Sequence, residues 1–184
     1  MAVRDALIQS TIALIRRGGV AGTGIAAVLE HSGVARRSIY LNFPDGKAGL
    51  VCAATREAGD GLSAYLRDIA GRSDSRRGLE EFVELWKRSL IDSDFEDGCP
   101  ITAATLGRAD SPEAADLAGE TFAAWQDILA GAVDAPGMTE ERRRSLAALI
   151  IAAIEGAVIM SMARRSIEPL DQVQEQLAAL LSAQ

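Results

Sequence analysis

Arg36, Arg37, Tyr40 and Lys47 fall in one short stretch, VARRSIYLNFPDGK (residues 34–47), and together carry what a nucleic-acid backbone and a base edge ask for. A guanidinium can bind guanine with two parallel hydrogen bonds, a phenolic hydroxyl can donate to a phosphate, and a lysine adds a fixed positive charge. Ser38 and Asn42 add short polar reach along the same run. Lys47 begins the next helix, where free backbone N–H groups already favour a phosphate, and Thr23 can act likewise at the start of the preceding helix. Phe43 reads as core. An arginine pair taken alone is more often a solvated surface charge; its place beside a glycine corner, a tyrosine and a lysine favours contact with DNA.

Nothing comparable points to catalysis. His31 is the single histidine, so histidine triads and metal clusters lack material, and the carboxylates are scattered along helices. Neither Cys52 nor Cys99 has a CxxC neighbour, which fits a reduced, cytoplasmic protein without a metal. GTGIAA (22–27) matches the loose dinucleotide fingerprint but follows a helix rather than a strand. The GKA at 46–48 lacks the rest of a phosphate loop, with Leu41 in place of the leading glycine and Ala48 in place of Ser or Thr. No cofactor is expected. The competing readings are a ligand-independent helical scaffold or adaptor and, behind it, a small enzyme using Glu155 as acid or base.

The elements that must position this stretch are all helical. Hydrophobic residues make up 48% of the chain and aromatics only 4%, so the core is built from Ala, Leu, Ile and Val, as close helix packing prefers. Ile8, Ile12 and Ile15 give an inward stripe over 3–17, ended by Gly18-Gly19. Thr23 is placed to cap a helix over 24–32, Gly33 makes a corner, and 35–42 form a third short helix. Pro44-Asp45-Gly46 then precede a long helix from Lys47 towards Ile69. Two short helices at a tight corner, packed on a preceding helix, describe a helix-turn-helix whose last member can enter a major groove. The chain carries a net charge of −7, yet residues 1–50 hold six basic and three acidic side chains out of totals of 19 and 26. The excess of acid lies entirely in the rest of the chain, so overall acidity does not exclude a nucleic-acid partner.

Beyond the corner, residues 71–78 read as a solvated connection, and helices are expected over 79–91, from Pro100, from Pro112, over 140–165 with Thr139 as cap, and over 170–181 after Pro169. APGMTEERR (135–143) makes the break before the longest of these. Leu146–Ala163 approaches the length of a membrane span, but Glu155 near its centre and its many small residues favour a buried bundle helix. The first twenty residues lack the apolar run of a signal peptide. Trp86, Phe95, Phe122, Trp125, Met160 and Met162 are candidates to line an apolar cavity, with Cys99, Thr102 and Glu155 as its polar points; such stripes also serve as ordinary packed core. Glu155 needs a partner, a raised pKa or a wet cavity, and Arg164 or Arg165 of a second subunit is one possible partner. Cys99 is open to a redox role or a structural turn.

GVARRSIYLNFPDGKAGLV, with Gly33-Val34, Tyr40, Phe43, Lys47 and Leu50 in place, resembles the DNA-binding signature of the TetR/AcrR family of transcriptional regulators. DFEDGCPITAATL (94–106), the Phe122 and Trp125 pair, and LIIAAIEGAVIMSMARRSIEPLDQV (149–173) are similar to the LmrA/YxaF-like branch. The resemblance implies an N-terminal helix-turn-helix domain over 1–48, a ligand-binding and dimerisation domain over 49–184, a small-molecule effector, a palindromic double-stranded operator and a homodimer built on the last two helices. Leu41-Asn42 stands where many members carry a Tyr or His pair, so the operator does not carry over. The sequence supports pairing independently through a stripe of Ile150, Ile154, Ala157, Val158 and Ser161 and another of Leu177, Leu180 and Leu181.

Overall fold

A computed structural model describes residues 2–133 and 137–182. Among these residues the chain forms helices and no strand: α1 (Val3–Gly22), α2 (Ile25–Ser32), α3 (Arg36–Asn42), α4 (Lys47–Arg72), α5 (Ser75–Asp92), α6 (Pro100–Leu106), α7 (Pro112–Ala132), α8 (Glu140–Arg164) and α9 (Glu168–Ser182). The all-helical expectation holds. The chain divides into two compact units, residues 1–61 with 99–121 and residues 62–98 with 122–184, and the divisions fall inside α4, just before α6 and inside α7.

The first unit is organised around α1. Leu7, Ile8, Ile15 and Val20 meet Val28 of α2, Ile39 of α3, Phe43 and the start of α4 in one buried cluster. Arg4 lies over the Phe43 ring, 5.3 Å from its centroid, and holds the end of α3 against α1 by a cation–π contact. Gly33 closes α2 in the left-handed region (φ 66, ψ 12), its N–H donating to the Leu29 carbonyl. Only glycine takes that conformation without strain, and it gives the corner between α2 and α3.

Two details of this unit differ from the sequence reading. The chain kinks at Gly19 (φ 67, ψ −177) and then makes a further turn to Gly22, because buried Val20 has a place to pack. The kink also redirects Thr23: its hydroxyl donates to the Gly19 carbonyl at 2.8 Å, and α2 starts at Ile25 with Gly24 as its N-cap and no side-chain cap. α6 packs against α1 with Gly107 so close to Val20 that a Cβ would stand 2.6 Å from Val20 Cγ2.

The second unit is a bundle whose core takes Leu79, Phe82, Val83, Trp86 and Leu90 from α5, Ile150, Ile154, Ala157 and Val158 from α8, and Leu170 and Leu177 from α9. Residues 71–78, expected as connection, are mostly helical. Asp74 accepts the Arg77 N–H at 2.9 Å and so starts α5 four residues early. Thr139 accepts the Arg142 N–H at 3.3 Å, as its place before Glu140 and Glu141 suggests; Ala135 and Pro136 of the expected break lie outside the described residues. α9 includes Pro169 in its first turn rather than following it, which costs no hydrogen bond there. α8 has the length and apolar composition of a membrane span, yet its inner face supplies the bundle core.

Candidate nucleic-acid interface

α3 is held by its inner side alone. Ile39 is fully buried and Phe43 nearly so, while Arg36, Arg37, Tyr40 and Leu41 are exposed. At about 100° per residue those four positions cover one arc of the helix opposite the buried edge. Ser38 and Asn42 sit at its margin, half-buried, and the Asn42 amide donates to the Ser38 carbonyl at 2.8 Å. Tyr40 is 49% exposed, and its ring passes over Gly46, whose absent Cβ would lie 3.6 Å from Tyr40 Cε1. Gly46 itself has φ +61, which suits the turn into α4.

Lys47, half-buried, opens α4. The structure therefore places Arg36, Arg37 and Tyr40 on the exposed arc of α3 and Lys47 next to Gly46, the residue packed under the Tyr40 ring, with Ser38 and Asn42 at the margin of that arc. Thr23 does not join them: it is 1% exposed and its hydroxyl is engaged. What results is a short helix offering two guanidinium groups, a phenol and a leucine to solvent. That is the shape and chemistry of a groove-reading element.

Comparison with known proteins agrees. Residues 7–54 match the family described as bacterial regulatory proteins, tetR family, and residues 76–176 match the C-terminal domain of LmrA/YxaF-like transcriptional regulators. The chain belongs to the TetR family. An HTH-type transcriptional regulator of Mycobacterium tuberculosis, Rv0196, is 33% identical over 98% of this chain and 95% of its own. The HTH-type regulator LmrA of Bacillus subtilis is 22% identical over 97% and 96%. A TetR transcriptional regulator from Legionella pneumophila shares the fold with a TM-score of 0.86 at 19% identity, covering 98% of this chain and 97% of that one. This TetR-family chain is thus a transcriptional regulator, in a family of regulators rather than of enzymes.

Two small apolar cavities in the regulator's second unit have walls that share Leu66, Phe82, Leu129, Ile150 and Ile154. The larger, about 50 Å³, is also lined by Ser73, Asp74 and Ser75, and the smaller, about 10 Å³, by Trp125 and Glu155. Polar groups lining the larger cavity are engaged: Ser73 donates to Glu81, Asp74 caps α5, and Ser75 donates to the Ala132 carbonyl. The walls are therefore effectively apolar.

Of the residues singled out by sequence as ligand contacts, Trp125 and Glu155 line this space. Trp86 is core, edge-on to Phe82 at 6.4 Å, with its indole N–H buried and unpartnered. Phe122 packs edge-on to Trp125 at 5.3 Å, and the Trp125 indole donates to Ser63 at 3.0 Å. Phe95 is half-buried in the turn after α5, held at φ 62. Met162 is half-buried and Met160 is 51% exposed. Cys99 and Thr102 belong to the first unit and line neither cavity. Leu66, Phe82 and Leu129 carry the walls instead; isolated core leucines give no sign in a sequence that they border a void.

The residues that the sequence offers for pairing lie largely inside the chain. Ile150, Ile154, Ala157, Val158, Ser161 and Leu177 are buried within the regulator's own bundle, with Leu180 and Leu181 half-buried. The solvent side of α8 carries Leu149, Ala152, Ile159 and Met160. α8 is apolar around most of its circumference, so periodicity could not fix which stripe faces in.

Proposed function

We propose that the protein is a homodimeric, cytoplasmic repressor that holds a palindromic operator through α3 and releases it when a small apolar or amphipathic molecule enters the second unit. Residues 1–48 contact DNA in this reading, and residues 49–184 sense and pair. The observation that carries it is the exposed arc of Arg36, Arg37 and Tyr40 on a helix whose buried anchors are Ile39 and Phe43. Lys47 adds a phosphate contact, and Ser38 and Asn42 border it.

The apolar, polar-satisfied cavity walls support an apolar effector. Their space is far below the roughly 300 Å³ of a common ligand pocket, so binding must part the walls. Release follows from differential affinity: the effector favours a separation of the two α3 helices that mismatches the half-sites. Selection of duplexes from a random-sequence pool, followed by titration of the enriched duplex at several salt concentrations, tests the DNA reading. A twofold-symmetric sequence bound with steep salt dependence is the expected result. Enrichment of no sequence at all contradicts it.

A further inference from the structure

Leu41 is 69% exposed, the most exposed large apolar side chain described on α3, and it has no packing role in the chain. Its neighbours on the helix surface are Arg37, one turn before it, and Ser38. Asn42, which lies next in sequence, has turned its amide inward to the Ser38 carbonyl and is half-buried. Leu41 is therefore an apolar point on the C-terminal half of the outward arc, next to the exposed Tyr40 in sequence and one turn beyond the exposed cation Arg37.

Resting on the DNA-binding reading above, we propose that Leu41 is a specificity-determining residue that reads the C5-methyl group of a thymine in each operator half-site. The flanking guanidinium groups commit this surface to a polyanion, so the occupant that covers Leu41 is a nucleic-acid groove. A leucine has neither donor nor acceptor. Among the major-groove edges only thymine offers a methyl group for it to touch, whereas cytosine, adenine and guanine would have polar atoms desolvated against it without a partner. Leu41 lies one helical turn, about 5.4 Å, beyond Arg37, so the thymine falls within roughly two base pairs of the base that Arg37 contacts.

The test uses the full-length protein and the duplex enriched from a random pool. Replacing each thymine in turn by deoxyuridine removes only the methyl. Wild-type protein should lose about fourfold in affinity at one position per half-site, the worth of one buried carbon. Leu41→Ala, which alters an exposed helical site and leaves the circular dichroism unchanged, should bind the parent duplex more weakly and be indifferent to uridine at that position. A flat uridine scan with wild-type protein on an enriched palindrome overturns the Leu41 proposal alone, as does an unchanged uridine penalty in Leu41→Ala. Failure of the wild-type protein to enrich any sequence overturns the DNA-binding reading beneath it as well.

Discussion

At the scale of single residues, side-chain type decides what each position contributes to a charged partner. Lys47 is a point charge on a flexible stem, so it holds phosphate without reading sequence. Lys47→Ala should lower affinity to a similar degree for specific and random duplexes and reduce the slope of log K against log salt by about 0.9; an unchanged slope removes it from the phosphate contacts. Arg37→Ala should instead weaken binding to the enriched sequence by about 1–3 kcal/mol and relax the preference at one base pair, measured by competition among variant duplexes. Cys52 makes a different kind of prediction. Burial pushes its thiol above the ordinary value, against partial relief from the Ser111 hydroxyl. In a Cys99→Ser background, Cys52 should therefore be alkylated at pH 8 more slowly than a free thiol, since less of it is thiolate. The cationic set could be read from the sequence because charge and helix position are both local properties. Thr23 could not, because its hydroxyl answers to a carbonyl freed by the kink at Gly19.

At the scale of elements, close approach and capping set the geometry. Gly107 has ordinary backbone angles (φ −83, ψ 17), so Gly107→Ala introduces no backbone strain. Its Cβ would nevertheless stand 2.6 Å from the stiff, buried Val20 side chain. This overpacking should cost about 1–3 kcal/mol in urea unfolding, and Val20→Ala should recover part of it if the clash is the cause. Between α4 and α5, Arg72 meets Glu81 at 2.7 Å. The Arg72 guanidinium holds the Glu81 carboxyl below its usual value, with burial opposing and Ser73 assisting. Stability from this group is complete above the unfolded carboxylate pKa and fades as pH falls through the lower folded value. Glu81→Gln should accordingly flatten the acid limb of Tm between about pH 5 and pH 3, with little change in slope at neutral pH. Helix existence was legible throughout, because glycine, proline and threonine stops are chemical. The start of α5 was not: a polar run such as SDSRRG suits a loop by composition and a helix once Asp74 accepts the Arg77 N–H.

At the scale of the whole molecule, one seven-residue helix reads too few base pairs for strong selection, and pairing two copies multiplies their effect. The surface able to do this has to be apolar and unused within the chain. Leu149, Ile159 and Met160, each about half exposed, with Ala152 between them, form a strip along α8 that satisfies both conditions. The stripe suggested by periodicity does not, since Ile150, Ile154 and Ala157 are already spent on the core. The two alternatives make opposite predictions. Leu149→Arg with Ile159→Arg should give a monomer by sedimentation while helix content and Tm stay near wild type, and affinity for a palindrome should fall far more than affinity for a single half-site. Ile154→Arg, by contrast, should unfold the bundle, because it buries a charge with no partner. A protein that stays dimeric with both surface arginines in place would move the pairing face off α8, and the two α3 helices would then need another element to set their separation.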